Sequence, residues 1–358
     1  SNLWFHEVHR TNEQLCFQIQ KCNLFYNQTV LIVAYFRSCI KFKIRTSTII
    51  NIAIKYGINL SNIMKSFNIQ NRRYLGNKFK LLKSIKELVT KKCGNYSTFI
   101  DLFSGTSVIA NSFNSNKVRI ISNDLLYSNY VIAKSFLEIT KSPTRIVKKI
   151  EILNSIKTNK ANYFSKNFGN KYFTKDNAIK IGAIREKIEK ISSNSDEKLI
   201  LITSLIYAAD RIANTVGHYD AYRENLDTRG KLELQVPNID YKNNKNNKVY
   251  CMDSNVLANE IKGDVVYIDP PYNSRQYSDT YHLLDNLALW KKPDVFGKAK
   301  KMDRSHIKSK YCSKDAVLEF QDLITKLNTK HIIVSYNNTE NTKHGRSNAK
   351  ISFNQIKN

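Results

Sequence analysis

The chain has 358 residues, 42% of them hydrophobic, with 20 Tyr and 17 Phe; this excludes a disordered polar chain and suffices for one large domain or two to three ordinary ones. Its 57 Lys+Arg against 30 Asp+Glu leave a formal charge of +27, which suits a polyanionic partner, nucleic acid before an anionic membrane. An AT-rich genome would supply part of that excess through Lys, Asn and Ile codons, so the charge ranks as support only. The six cysteines (Cys16, Cys22, Cys39, Cys93, Cys251, Cys312) form no CxxC pair and have no histidine at zinc spacing. Reduced thiols, a cytoplasmic setting and no metal are therefore expected. The longest apolar run, residues 30–36, is too short to span a bilayer and lies behind mixed charges, so neither a membrane partner nor a signal peptide is expected.

Residues 1–70 are an extension of unclear role. Residues 30–36 read as a buried strand, and residues 46–67, with Ile49 to Met64 around Gly57, read as two short helices. Signals sharpen at Arg72. The run Arg72-Arg73-Tyr74-Leu75-Gly76-Asn77-Lys78 is a basic turn entering a helix whose apolar face is expected to carry Leu81, Leu82, Ile85 and Leu88. Next, residues 97–110 read as a strand, a tight turn at Gly105 and a helix, and residues 118–121 as a second strand ending on Ser122-Asn123-Asp124. This is one βαβ unit, with an acid about 20 residues beyond the glycine turn, the separation that suits a pair of ribose hydroxyls.

Residues 131–139, 144–156, 178–191 and 199–209 show helical spacing. The last runs into a cluster containing Asn214, Gly217, His218, Tyr219, Tyr222 and Arg223, which is as compatible with packing as with binding. Residues 242–248 read as a polar linker, followed by a strand to Met252 and Asp253. The β-branched run Val265–Ile268 is then a buried parallel strand that stops on Asp269-Pro270-Pro271-Tyr272. Two prolines end the ladder and stiffen the turn, leaving a carboxylate, exposed carbonyls and a ring at a strand's carboxyl end, where open α/β sheets bind ligands. A helix over residues 281–290, a mobile basic loop over 291–310, a helix over 314–327, a strand from His331 to Asn338 and a helix from Phe353 complete the reading.

Four strand ends thus deliver Asp101, Asp124, Asp253 and Asp269 to one sheet edge. The chain has no GxxxxGK[ST] loop and too few glycines in its first turn for a pyrophosphate. A cofactor with a ribose and a cation but no phosphate fits better, and S-adenosyl-L-methionine has that chemistry.

In this order, RRYLGNKFKLL, FIDLFSGTS, SND, MDS, DPPY and a strand ending SYNN make the chain resemble the Dam-type (alpha-group) adenine-specific DNA methyltransferases of restriction–modification systems, from about Arg72 onward. The resemblance implies an α/β fold: a Rossmann-like S-adenosylmethionine-dependent methyltransferase sheet, residues 71–139 and 248–358, with a mostly helical target-recognition insert, residues 140–247. It implies that Tyr74, Gly76 and Lys78 close over the methionine part of the cofactor, and that Asp101, Phe103, Gly105 and Thr106 form the turn around it. Asp124 would take the ribose hydroxyls and Asp253 the region of the cofactor's adenine. Asp269, Pro270, Pro271 and Tyr272 would be the catalytic tetrapeptide acting on the exocyclic amine of a flipped adenine in double-stranded DNA. His218, Tyr219 and Arg223 are the candidates for DNA contact, with the Lys-rich stretches 141–180 and 291–310 on backbone phosphates. A cognate restriction endonuclease would be the partner. The alternatives are another exocyclic amine, in cytosine or RNA, and a truncated, inactive DNA-binding homologue. Two departures bear on this: Ser107 stands where the group has a further glycine, and the chain stops soon after SYNN, so the catalytic domain is expected to be incomplete at its C-terminus.

Overall fold

The computed structural model describes residues 65–228, 230–337 and 348–357, which belong to one compact unit. The expected strand at 30–36 and most of the helix pair at 46–67 lie outside these residues. Where the second range enters them, residues 66–67 are a strand.

The strands are β1 (Ser66–Phe67), β2 (Thr98–Asp101), β3 (Arg119–Asn123), β4 (Val236–Pro237), β5 (Lys248–Tyr250), β6 (Lys262–Ile268) and β7 (Asn328–Val334). The helices are α1 (Leu82–Cys93), α2 (Val108–Phe113), α3 (Tyr127–Leu137), α4 (Ile146–Asn154), α5 (Tyr163–Phe168), α6 (Lys175–Ile191), α7 (Ser195–Ile212), α8 (Ser254–Leu257), α9 (Tyr277–Thr280), α10 (His282–Leu289), α11 (Ala316–Lys326) and α12 (Phe353–Lys357). Five strands form one wholly parallel sheet in the order β5-β3-β2-β6-β7, and β1 pairs with β4. The chain runs outward from β2 through β3 to β5, then returns to β6 on the other side of β2. The reversal point therefore lies between β2 and β6, where doubly wound sheets open a ligand crevice. The α/β class and the Rossmann-like sheet are as the sequence implied.

One sheet face packs Ile100, Leu102, Ile121, Val266 and Ile268 against Leu257, Ile261, Phe320 and Leu323. Such β-branched and aliphatic runs, buried on both faces, are what a parallel sheet requires. The other face stacks Phe99 on Phe113 of α2, with centroids 4.1 Å apart. Helices α4 to α7 lie between β3 and β5 in sequence. Fully buried Ile200, Leu201 and Leu205 give α7 its apolar side, and Ser135 on α3 meets Thr203 on α7 at 2.8 Å.

Three local expectations change. Helix α1 buries Val89 and Cys93, whereas Leu81 and Leu88 are exposed; only its last turns reach the core. The stretch 242–248 is no linker. Buried Asn244 donates to the carbonyls of Phe136 and Ile139 at 2.9 and 2.8 Å, and the Asn247 side-chain oxygen accepts the Ile120 N–H at 2.7 Å. Asn244 thereby caps the end of α3, and Asn247 stands in for a ladder bond on β3 at the entry to β5. The segment 291–310 is not a mobile loop but a folded strap: Phe296 and Lys301 exchange backbone bonds, and Gln276 clasps both the N–H and the carbonyl of Ser309.

Candidate active site

The carboxyl ends of β2, β3, β5 and β6 border one cleft, open to solvent on one side. Parallel register sets its floor. Asp101 closes β2 opposite Tyr267, Asp124 follows β3, Asp253 follows β5, and Asp269 follows β6. All four acids line the cleft, together with Tyr74, Gly76, Lys78, Phe103, Gly105, Thr106 and Pro271.

The acids differ in what they can still do. Asp101 is 1% exposed; one oxygen accepts the Ala110 N–H at 3.2 Å and the other has no hydrogen-bond partner. Burial, then the neighbouring Asp269, push its carboxyl up to about 8. It is therefore largely neutral at pH 7, and a cation placed at the free oxygen would ionise it. Asp124 is engaged on both oxygens, by the N–H groups of Gly105 and Leu126 at 2.8 Å and by the Asn129 amide at 3.0 Å. Burial raises it to about 6 against those bonds. Asp253 caps α8, accepting from Asn255 and Val256 N–H at 2.9 and 3.2 Å.

Asp269 is paired. Its Oδ2 lies 2.5 Å from Lys78 Nζ, both side chains being mostly buried, and Nζ also donates to the Gly76 carbonyl at 3.1 Å. Burial raises the Asp269 carboxyl, while Lys78, then the Ser335 hydroxyl, pull it back down. Lys78, expected over the cofactor's methionine part, lines the cleft and is also the ion-pair partner of Asp269. Behind it, Pro270 is buried and Tyr272 is half-buried, its carbonyl accepting the Lys350 N–H at 2.8 Å and its ring edge-on to Tyr336. Pro270 and Tyr272 do not line the cleft as Pro271 does.

The glycine turn is tight for a reason. Gly105 has φ +50°, and a Cβ there would sit 3.1 Å from the Tyr74 ring, so Tyr74 lies directly on the turn. Gly76, at φ +76°, would likewise meet the Tyr277 hydroxyl at 3.0 Å. Ser107, the departure from the glycine pattern, also sits in the left-handed region at φ +56° and is fully buried.

Sequence reasoning missed an aromatic stack. Tyr74 lies parallel to Tyr281 at 4.3 Å and to Tyr277 at 5.5 Å, while buried Arg72 covers the Tyr74 and Tyr281 rings and donates to Asn129 at 2.8 Å. The Tyr281 hydroxyl accepts the Leu75 N–H at 2.6 Å. The only signal for the stack was the four-residue spacing of Tyr277 and Tyr281 just beyond the tetrapeptide. Gln276, Ser309 and Tyr311 also border the cleft and carried no pattern of their own.

The DNA-contact candidates fall elsewhere. Tyr219 is fully buried, its hydroxyl on Asp210 at 2.8 Å, so its side chain offers no surface to a base or phosphate. His218 is mostly buried near Asp220, and Arg223 is exposed. None of the three lines the cleft.

The family model of the D12 class N6 adenine-specific DNA methyltransferases matches residues 74–346. The chain belongs to that family. Among curated relatives it is 37% identical over 286 residues to modification methylase StsI of Streptococcus sanguinis and 34% identical over 286 residues to type II methyltransferase M.FokI of Planomicrobium okeanokoites. Each match covers 74% of this chain and 44% of the relative, so the chain spans less than half the length of these two. It is 32% identical over 279 residues to type II methyltransferase M.NlaIII of Neisseria lactamica, covering 74% of this chain and 83% of that protein. The D12 family implies a methyl donor. Among the described residues, no helix is long and apolar enough to cross a membrane and no cluster of metal ligands occurs.

Proposed function

We propose that this D12-family chain transfers a methyl group from S-adenosyl-L-methionine to the exocyclic amine of an adenine flipped out of duplex DNA. It would serve as the modification enzyme of a restriction–modification system, beside a cognate endonuclease. The observation that carries the reading is the cleft at the sheet's reversal point, where Asp269 stands ion-paired beside a second, unpaired acid, Asp101.

The residues present fit the cofactor. The free oxygen of Asp101 suits its ammonium, the Gly105 turn under Tyr74 allows close backbone approach, and Asp124 retains acceptor capacity at Oδ2 for a ribose hydroxyl. When bound, S-adenosyl-L-methionine supplies an electrophilic methyl group. The chain's own part is to make a poor nucleophile attack. The adenine amine is conjugated into its ring; hydrogen bonds to the Asp269 carboxylate and the Pro270 carbonyl would hold its lone pair towards the methyl group and stabilise the developing positive charge. Lys78 works against the burial that raises the Asp269 carboxyl, and the incoming amine would share or displace it at Oδ2. Tyr272 would stack on the flipped base. Residues 140–247 would contain the target-recognition region.

Incubating the chain with unmethylated phage DNA and S-adenosyl-L-methionine, then sequencing for modified bases, tests this directly. Methylated adenine in one sequence context is expected. Asp269→Ala should lower transfer by on the order of 10²–10³-fold or more while duplex binding persists; transfer at the unaltered rate would sink the mechanism.

A further inference from the structure

The strap 291–310, the turn after α7 and the end of α5 converge on one hydrogen-bonded hub. Asn214, 2% exposed, donates its backbone N–H to Tyr172 O at 2.8 Å, and its side-chain amide to Lys171 O and Arg223 O at 3.0 and 2.9 Å. It also accepts the Arg223 N–H at 3.0 Å. The buried Tyr172 hydroxyl reaches Tyr219 O at 2.8 Å and Ala299 O at 2.9 Å. Lys171, Arg223 and Lys300 therefore spring from neighbouring points of one rigid frame.

Their charges are unanswered. None of the three has an ion pair or a side-chain hydrogen bond among the described residues, although acids nearby are engaged: Asp220 holds Lys301 at 2.9 Å and Asp279 holds Arg304 at 2.6 Å. Lys171 and Lys300 are only half-exposed and close enough that burial, then Lys300, lower the ammonium pKa of Lys171. Lys300 further sits at φ +52° in the turn that begins at Gly297, a left-handed backbone that costs a non-glycine residue on the order of 1 kcal/mol. Neighbouring ammonium groups repel one another, and an anion between Lys171 and Lys300 would relieve that repulsion. The frame is also fixed to the catalytic arm: the Tyr219 N–H donates to Thr280 O at 2.8 Å, at the end of α9, whose Tyr277 and Ser278 line the cleft. At the tip between the anchors, Val216 is 64% exposed.

We infer that Lys171, Lys300 and Arg223 form a phosphate-binding surface that grips the backbone of duplex DNA beside the cleft. The inference rests on the DNA reading above and narrows it to three cations. Each lysine displaces about one condensed counterion when it meets a phosphate, so each governs the salt dependence of binding rather than the choice of sequence.

The test needs no methylation. Binding of the chain to a fluorescent 30-base-pair duplex of arbitrary sequence is followed by anisotropy across a series of potassium chloride concentrations. Lys171→Gln and Lys300→Gln should each reduce the slope of log K against log salt by about 1 and weaken binding at fixed salt several-fold. Lys300→Arg, which keeps the charge, should retain the wild-type slope. Lys262→Gln, an exposed lysine at the opposite, amino-terminal end of β6, controls for net charge and should leave the slope unchanged. Unchanged slopes in the double variant, an equal loss in Lys262→Gln, or a wild type that does not bind the duplex overturns the inference. A chain that shows these slopes yet transfers no methyl group would instead overturn the enzymatic reading and leave this surface standing.

Discussion

The acid-lined cleft and the basic hub are built by different means. In the cleft, positions follow from strand register: once β2 and β6 pair with Asp101 opposite Tyr267, the acids have nowhere else to go. In the hub, positions follow from single side chains that satisfy distant backbone groups, Asn214 and Tyr172 above all. A sheet spreads positional information over many ladder bonds, so it tolerates local change. A hub concentrates it in one residue, so its failure is abrupt.

That contrast sets the size of the expected effects. Asn214→Ala leaves the carbonyls of Lys171 and Arg223 without their donor in a buried setting, and should cost about 2–4 kcal/mol in denaturant unfolding. A loss below about 1 kcal/mol would show that the hub has other supports. Asp101→Asn probes the cleft through pH. The carboxyl titrates near 8 in the folded protein against 3.8 for an ordinary aspartate, so between pH 4 and 8 the folded form binds more protons than the unfolded. Its contribution to stability is accordingly present at low pH and lost as pH rises towards 8. The asparagine variant lacks that loss, so its Tm relative to wild type should rise by about 3 °C or more between pH 5 and pH 8; a constant difference would place the Asp101 pKa below this window. The smallest effect belongs to Ser107→Gly. Removing a Cβ from a left-handed backbone should stabilise the chain by about 0.5–1 kcal/mol in thermal unfolding, against the greater entropy of an unfolded glycine. A destabilised variant would mean that the Ser107 hydroxyl, 3.3 Å from that of Ser104, matters more than the strain.

The same division explains what was legible in the sequence. The strands ending at Asp101, Asp124, Asp253 and Asp269 could be read because β-branched runs, a glycine turn and a Pro-Pro stop are local signals. The Lys78–Asp269 pair spans 191 residues and left no periodic trace. The Tyr74–Tyr281 stack was hidden for the same reason. The cluster at Tyr219 was as compatible with packing as with binding; only the fold shows Tyr219 reaching inward to Asp210. Polar composition misled again at 242–248 and 291–310, where Asn244, Asn247 and Lys301 are tied down by partners far away in sequence.

One stitch has an engineering consequence. Tyr219 is bound to Thr280, Tyr172 to Ala299, and Lys301 to Asp220, so residues 172–220 and 280–301 share main-chain and charged contacts across a gap of about 60 residues. A cassette containing residues 140–247 alone, spliced into a relative, would arrive without its other half. Moving the proposed target-recognition region within this family would therefore mean moving two discontinuous pieces at once, the second reaching through the strap to Ser309, where Gln276 fastens it beside the cleft.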